Sequence, residues 1–210
     1  MPATRSVRKA RTSKLLVVDT SVMRAAGAEG ATDPAPANAR DALKAILSIC
    51  HRVCDSTDLR EERKRHQSKF AKLWFTQMHA RRKVVVCEPH PCNDILADIR
   101  SFHSTTQSDI AAVEKDIHLI AAALATDRTV LSGDNRVAVA IRKVCTDTRT
   151  VTSKAAADVL WINPITDRDA LHAWLSEMGP AQQHWRLGVT TIPPAVAGGS
   201  GGRPTQRGKR

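Results

Sequence analysis

The stretch DIHLIAAALATDRTVLSGD, residues 116–134, decides how this chain is read. An acid opens it inside a helical pattern, a charged turn follows, a short apolar strand comes next, and a second acid stands just past the strand. Val113, Ile117, Ile120 and Leu124 recur at helical spacing, while Thr129-Val130-Leu131-Ser132 reads as a strand. Burying a carboxylate without a partner is costly, so Asp116 belongs beside a pocket or a cation. A parallel strand delivers the residue that follows it to the carboxyl edge of a sheet, where open α/β domains bind ligands. On the helical wheel Asp116 lies about a quarter turn from the centre of the inward face, at a rim that can reach an open pocket. His118 falls on the opposite flank and is read as a partly buried structural histidine.

Towards the N-terminus the same device recurs. Leu15-Leu16-Val17-Val18 is an unbroken apolar run of strand length, and Asp19-Thr20-Ser21 stands at its end. Between the two strands, Ser56 or Thr57 would cap a long helix over 57–83 that carries Glu61 and Glu62. With Leu59, Phe70 and Leu73 marking its apolar face, Glu62 lies at the edge of that face and Glu61 points nearly opposite. Two strand-end acids plus one helix acid, Asp116, suggest a carboxylate cluster.

The order of these landmarks resembles the PIN-domain metal-dependent nucleases: an apolar strand ending in Asp, a helix-borne acid, a helix with Asp before an Ala-rich run, and a strand ending in Asp. LLVVDTS and KDIHLIAAALATDRTVLSGD carry the resemblance, which covers residues 14 to about 165. The family's spacing of a Ser followed six positions later by an acid matches Ser56 and Glu62, although Arg63 stands where an aromatic is common. The resemblance implies a three-layer α/β/α domain with a central, mainly parallel sheet. It also implies an endoribonuclease site in which Asp19, Glu62, Asp116 and Asp134 bind Mg²⁺ or Mn²⁺, with Thr20 and Ser132 as hydrogen-bond partners. Carboxylates crowded together raise one another's pKa unless a hard cation neutralises them, and such an ion can activate water and offset phosphate charge.

RNA is the implied substrate. A toxin of a toxin–antitoxin pair, with an antitoxin protein as partner, and an RNA-processing nuclease are both compatible, as is a homodimer. A catalytically silent PIN-like module that binds RNA or protein is the alternative. Each acid has a plainer reading too: Asp19 and Asp134 as helix N-caps, Asp116 in an ion pair, Glu62 in a solvated charge run, with Asp109 and Asp127 as helix-start and turn residues. Other α/β families fit less well. A phosphoaspartyl hydrolase wants a second acid where Ser21 stands, and a dinucleotide site wants a Gly-rich first turn that Asp19-Thr20-Ser21-Val22 lacks.

The rest of the chain reads as strands alternating with helices. A helix is expected over 20–26, a loop over 27–38, helices over 39–52, 94–102, from Ser108, over 136–144 and over 167–177, and short strands over 53–55, 83–87 and 159–162. Such alternation argues for a parallel sheet covered on both faces. Trp74, Phe75 and Met78 read as core. At 210 residues one domain is expected, over 14–180, between a basic tail over 1–13 and a Gly/Pro-rich basic tail over 187–210.

Net charge is +11, yet Arg5, Arg8, Lys9, Arg11, Lys14, Arg203, Arg207, Lys209 and Arg210 sit in end segments that contain no acid. Taking these nine from +11 leaves +2 for residues 15–198, so the nucleic-acid signal of the charge belongs to the tails. The absence of an apolar run long enough for a bilayer, and of an export signal, argues for a soluble cytoplasmic protein with no membrane partner. Five cysteines in such a chain read as reduced thiols. Cys87, His90 and Cys92 lack the second ligand pair of a zinc finger, so their clustering reads as coincidence.

Overall fold

The computed structural model describes residues 12–27, 34–145 and 151–189. A five-stranded, all-parallel sheet forms the centre, with strands β1 Leu15–Val18, β2 Arg52–Cys54, β3 Val84–Val85, β4 Thr129–Leu131 and β5 Leu160–Ile162 in the order β3-β2-β1-β4-β5. The helices are α1 Thr20–Ala25, α2 Pro34–Ser48, α3 Thr57–His66, α4 Lys69–Ala80, α5 Asn93–Ser101, α6 Gln107–Leu124, α7 Arg136–Cys145, α8 Val151–Ala157 and α9 Arg168–Leu175, followed by a 3-10 turn over Gln183–Trp185.

Side chains alternate across the strands and feed two cores. Val17, Cys54, Val130 and Trp161 pack under α5, α6 and α7. Leu16, Val18, Val53, Leu131 and Ile162 pack under α1, α2, α4 and α9. This is the three-layer α/β/α architecture expected, and it explains why the strands read as near-continuous apolar runs rather than as an alternation.

From β1 the chain builds outward through β2 to β3, then returns to place β4 on the other flank of β1. The direction of winding therefore reverses between β1 and β4, and a crevice opens there beyond the carboxyl ends of the strands. Asp19 follows β1, and its N–H donates to Leu131 O of β4 at 2.9 Å. Asp134 follows β4 by three residues. The topology thus puts both strand-end acids at the one position in the sheet where a crevice must form.

Several boundaries differ from expectation. The expected loop over 27–38 gives way at Pro34 to α2, which a proline can start because its missing N–H lies among the first-turn groups that have no helical partner. Residues 28–33 of that loop lie outside the described residues. α2 ends at Ser48, short of the expected 52. The helix expected over 57–83 is two helices: Gln67 leaves helical geometry at ψ 141°, and Ser68 caps α4 by accepting from Ala71 N while donating to Met23 O at 2.7 Å. That break stitches α4 to the end of α1, where a side chain on Gly27 would collide with Ser68 Cβ. It also resets the helical phase, so Leu73 is 64% exposed while Trp74, Phe75 and Met78 are core.

Thr106, not Ser108, caps α6, in a capping box with Asp109. The edge strand is only Val84–Val85, and α8 was not anticipated. The packed chain continues past 180, since Trp185 and Leu187 are buried, Leu187 N donates to Val159 O and Gly188 N to Ala157 O. The basic segments over 1–11 and 190–210 lie outside the described residues.

Candidate active site

Asp19 is held by a dense set of donors. It caps α1 by accepting from Ser21 N at 3.2 Å, while the hydroxyls of Ser21 and Ser132 donate to Oδ2 at 2.5 and 2.6 Å and Thr20 Oγ1 donates to Oδ1 at 3.3 Å. The cap and the candidate ligand are one residue, so the plainer reading and the functional one coincide here. Ser21 Oγ also accepts from Gly133 N at 2.9 Å, and Ser132 Oγ accepts from Asp134 N at 3.0 Å. Two small hydroxyls therefore tie the loop after β1 to the loop after β4. Thr20 and Ser132 were expected in this role; Ser21 was not, although its place two residues after the strand-end Asp suits the backbone turn that such a cap makes.

Glu62 and Glu61 part company as expected. Glu62 is half-buried and its Oε2 lies 3.2 Å from His118 Nε2 of α6. Glu61 is exposed and pairs with Lys64 at 2.6 Å. The phase argument that separated them drew on Leu73, which is exposed; Leu59 and the buried Arg63 fix the phase instead. Arg63 fills the position expected to hold an aromatic. Its guanidinium lies 3.7 Å from the Phe75 ring centroid and 2.8 Å from Asp55 Oδ1, so ring stacking and an ion pair take over the packing an aromatic would supply. The hydrogen bond from His118 holds the Glu62 carboxyl below its usual pKa. Burial opposes the charge on His118, but the bond and charge of Glu62 outweigh it and raise its pKa.

Asp116 is more deeply placed than the wheel suggests. It is only 8% exposed, while Ile110, Ile117 and Leu124 are only partly buried, so the inward face of α6 is turned towards Val113, Asp116 and Ile120. Burial raises the Asp116 pKa; Lys115, 3.4 Å away, opposes the rise and the charge of Asp19 adds to it. Asp134 is gripped by Arg136, whose Nε lies 3.1 Å from both carboxylate oxygens and whose Nη2 lies 2.6 Å from Oδ2. That hydrogen bonding lowers the Asp134 pKa. Arg136 N also donates to Asp134 Oδ1 at 2.9 Å, but α7 begins at Arg136, so Asn135 holds the N-cap position expected for Asp134.

All four acids border one open cavity of about 600 Å³, together with Arg24, His66, Lys115, Arg136 and Ile165. Four separate segments of the chain supply them, which is the convergence expected. Comparison with family models, curated proteins and solved structures found no match.

Among the described residues, no group of three His, Cys, Asp or Glu side chains is arranged to hold a metal ion as it stands, at the cavity or at Cys87, His90 and Cys92. The donor chemistry at the cavity nonetheless suits Mg²⁺ or Mn²⁺. The four acids offer only oxygen donors, and burial, with a smaller contribution from the charge of Asp19, raises the pKa of Asp116, a cost that a hard cation would relieve. Lys115 and Arg136 supply part of that compensation now.

The neighbouring glutamates give a sharp test. Glu62→Gln should lower single-turnover RNA cleavage by on the order of 100-fold, the usual scale for losing one charged group aimed at a reacting centre. Glu61→Gln should stay within about twofold, because an exposed i,i+3 pair contributes little. A larger loss in Glu61→Gln would show that the wrong acid has been assigned.

Proposed function

We propose that this protein is a metal-dependent endoribonuclease that hydrolyses RNA phosphodiester bonds, with Asp19, Glu62, Asp116 and Asp134 as the ion-binding carboxylates. The observation that carries this reading is that the four acids matching the PIN landmarks, on four separate segments, border one cavity at the reversal point of the sheet. A hard divalent cation bound there would lower the pKa of a water molecule and offset charge on the phosphate under attack.

The chain's own residues prepare that chemistry. Ser21 and Ser132 fix the orientation of Asp19, and His118 fixes that of Glu62, so neither carboxylate must be ordered when an ion arrives. Asp116 supplies negative charge from a largely buried position, where screening by water is reduced. Arg24, Lys115 and Arg136 border the same cavity and offer positive charge to a phosphodiester.

RNA, rather than DNA, is proposed on the strength of the likeness to PIN nucleases, and so is an antitoxin partner. The second reading, a silent module that binds RNA or protein, draws on the ion pairs at Asp116 and Asp134, which leave those carboxylates partly neutralised without any metal. Among the described residues, no helix is long and apolar enough to cross a membrane.

Purified protein incubated with mixed single-stranded RNA and DNA separates the two readings. RNA should be cut with Mn²⁺ or Mg²⁺ and left intact with chelator, while Ca²⁺, whose coordination is looser, should support much less turnover. RNA binding with no cleavage under any divalent ion would favour the silent module.

A further inference from the structure

The cavity is lined by cationic side chains as well as carboxylates. Its lining carries four carboxylates against Arg24, Lys115 and Arg136, with His66 alongside. With that histidine neutral, the lining sums to one negative charge. One divalent cation would turn it to one positive charge, and one phosphodiester, which is singly negative, would bring it to zero. Charge balance thus favours joint occupancy by one ion and one phosphate.

Arg136 is the group best placed to respond to that change. Its guanidinium spans both oxygens of Asp134, although the side chain itself is 78% exposed. It is the first residue of α7, immediately beyond the loop that presents Asp134, so it can leave the carboxylate without disturbing the core. Lys115 makes a single, longer contact to Asp116 at 3.4 Å. A guanidinium fork suits two phosphate oxygens as well as two carboxylate oxygens.

We propose that Arg136 is the substrate-phosphate ligand of this cavity, and that in the ion-free protein it rests on Asp134, in the place a divalent cation would take. This rests on the nuclease reading. Entry of the ion releases the guanidinium, and the phosphodiester receives it. Arg136 consequently competes with the metal and cooperates with the RNA, two effects of opposite sign. A residue that merely positioned Asp134 would weaken both on removal.

The test measures Mn²⁺ binding by electron paramagnetic resonance and binding of a single-stranded oligoribonucleotide in Ca²⁺, for the full-length protein and for Arg136→Ala and Arg136→Lys. Loss of one unit charge about 4 Å from a divalent ion should tighten Mn²⁺ binding about 30-fold in Arg136→Ala. The same variant should bind RNA several-fold more weakly, with the slope of log affinity against log salt reduced by about 0.7, as for one phosphate contact fewer on a single strand. Arg136→Lys, which keeps the charge without the fork, should lie between. Unchanged or weaker Mn²⁺ binding in Arg136→Ala, with a wild type that binds the ion, overturns the proposal and leaves the nuclease reading standing. Absence of Mn²⁺ binding in all three proteins overturns both.

Discussion

Asp116→Asn should lower RNA cleavage by at least about 100-fold while leaving the melting temperature unchanged or higher. The activity loss follows from removing a buried negative charge that borders the cavity, on the scale seen when one preorganised electrostatic group is lost. The stability change has the opposite sign. Burial and the charge of Asp19 raise the pKa of Asp116, so its ionised form costs the folded state free energy at neutral pH. Asparagine keeps the shape and removes that cost. A site kept charged at the expense of stability is the pattern of a functional group rather than a packing one. Thermal unfolding and single-turnover cleavage on the same preparation check both halves. Full cleavage by Asp116→Asn would remove this acid from the site, and a collapse in melting temperature would give it a structural role.

His51→Ala should cost about 3–5 kcal/mol, the sum of two orphaned backbone groups and the void left by the ring. His51 is fully buried just before β2. Its Nδ1 accepts from Lys14 N at 3.2 Å and its Nε2 donates to Leu175 O at 2.8 Å, so one ring ties the entry of β1 to the end of α9. Both bonds require the neutral ring with its proton on Nε2. Burial accordingly lowers the His51 pKa, with Lys14 and Lys83 adding to the effect.

The pH dependence has a definite sign. Above the unfolded value of about 6.5 both states carry a neutral ring, and the contribution is complete. As pH falls through 6.5 towards the depressed folded value, the unfolded chain takes up a proton before the folded one does, and stability is lost. Denaturant titrations between pH 7.5 and 5 should show this loss in wild type and a smaller slope in His51→Gln. An equal slope in both would assign the acid sensitivity to other groups.

The sheet and the acids were legible because they rest on short-range signals. Apolar runs such as Leu15–Val18 and Thr129–Leu131 are of strand length and rich in β-formers, and an Asp that ends a parallel strand lies at the carboxyl edge of the sheet. The break at Gln67 and Ser68 was not legible from periodicity. Ser68 is an ordinary N-cap residue, and what fixes the break is its bond to Met23 O, a contact across 45 residues. His118 was placed as a structural histidine because the wheel of one helix cannot show Glu62 approaching from another. The same reason hid Ser21, whose hydroxyl bridges Asp19 and Gly133 only once the two loops are side by side. Nothing in the sequence singles out Lys115 or Arg136, and their part emerges from the carboxylates they face.

The central claim is that Asp19, Glu62, Asp116 and Asp134 act together as one ion-binding site. Crystals of the full-length protein soaked with Mn²⁺ test it most directly through an anomalous difference map. The account predicts a peak in the cavity bonded to oxygens of at least two of these four carboxylates at about 2.0–2.3 Å, with Arg136 moved away from Asp134. A cavity without such a peak, or an ion held elsewhere while the Arg136–Asp134 pair stays closed, would contradict it.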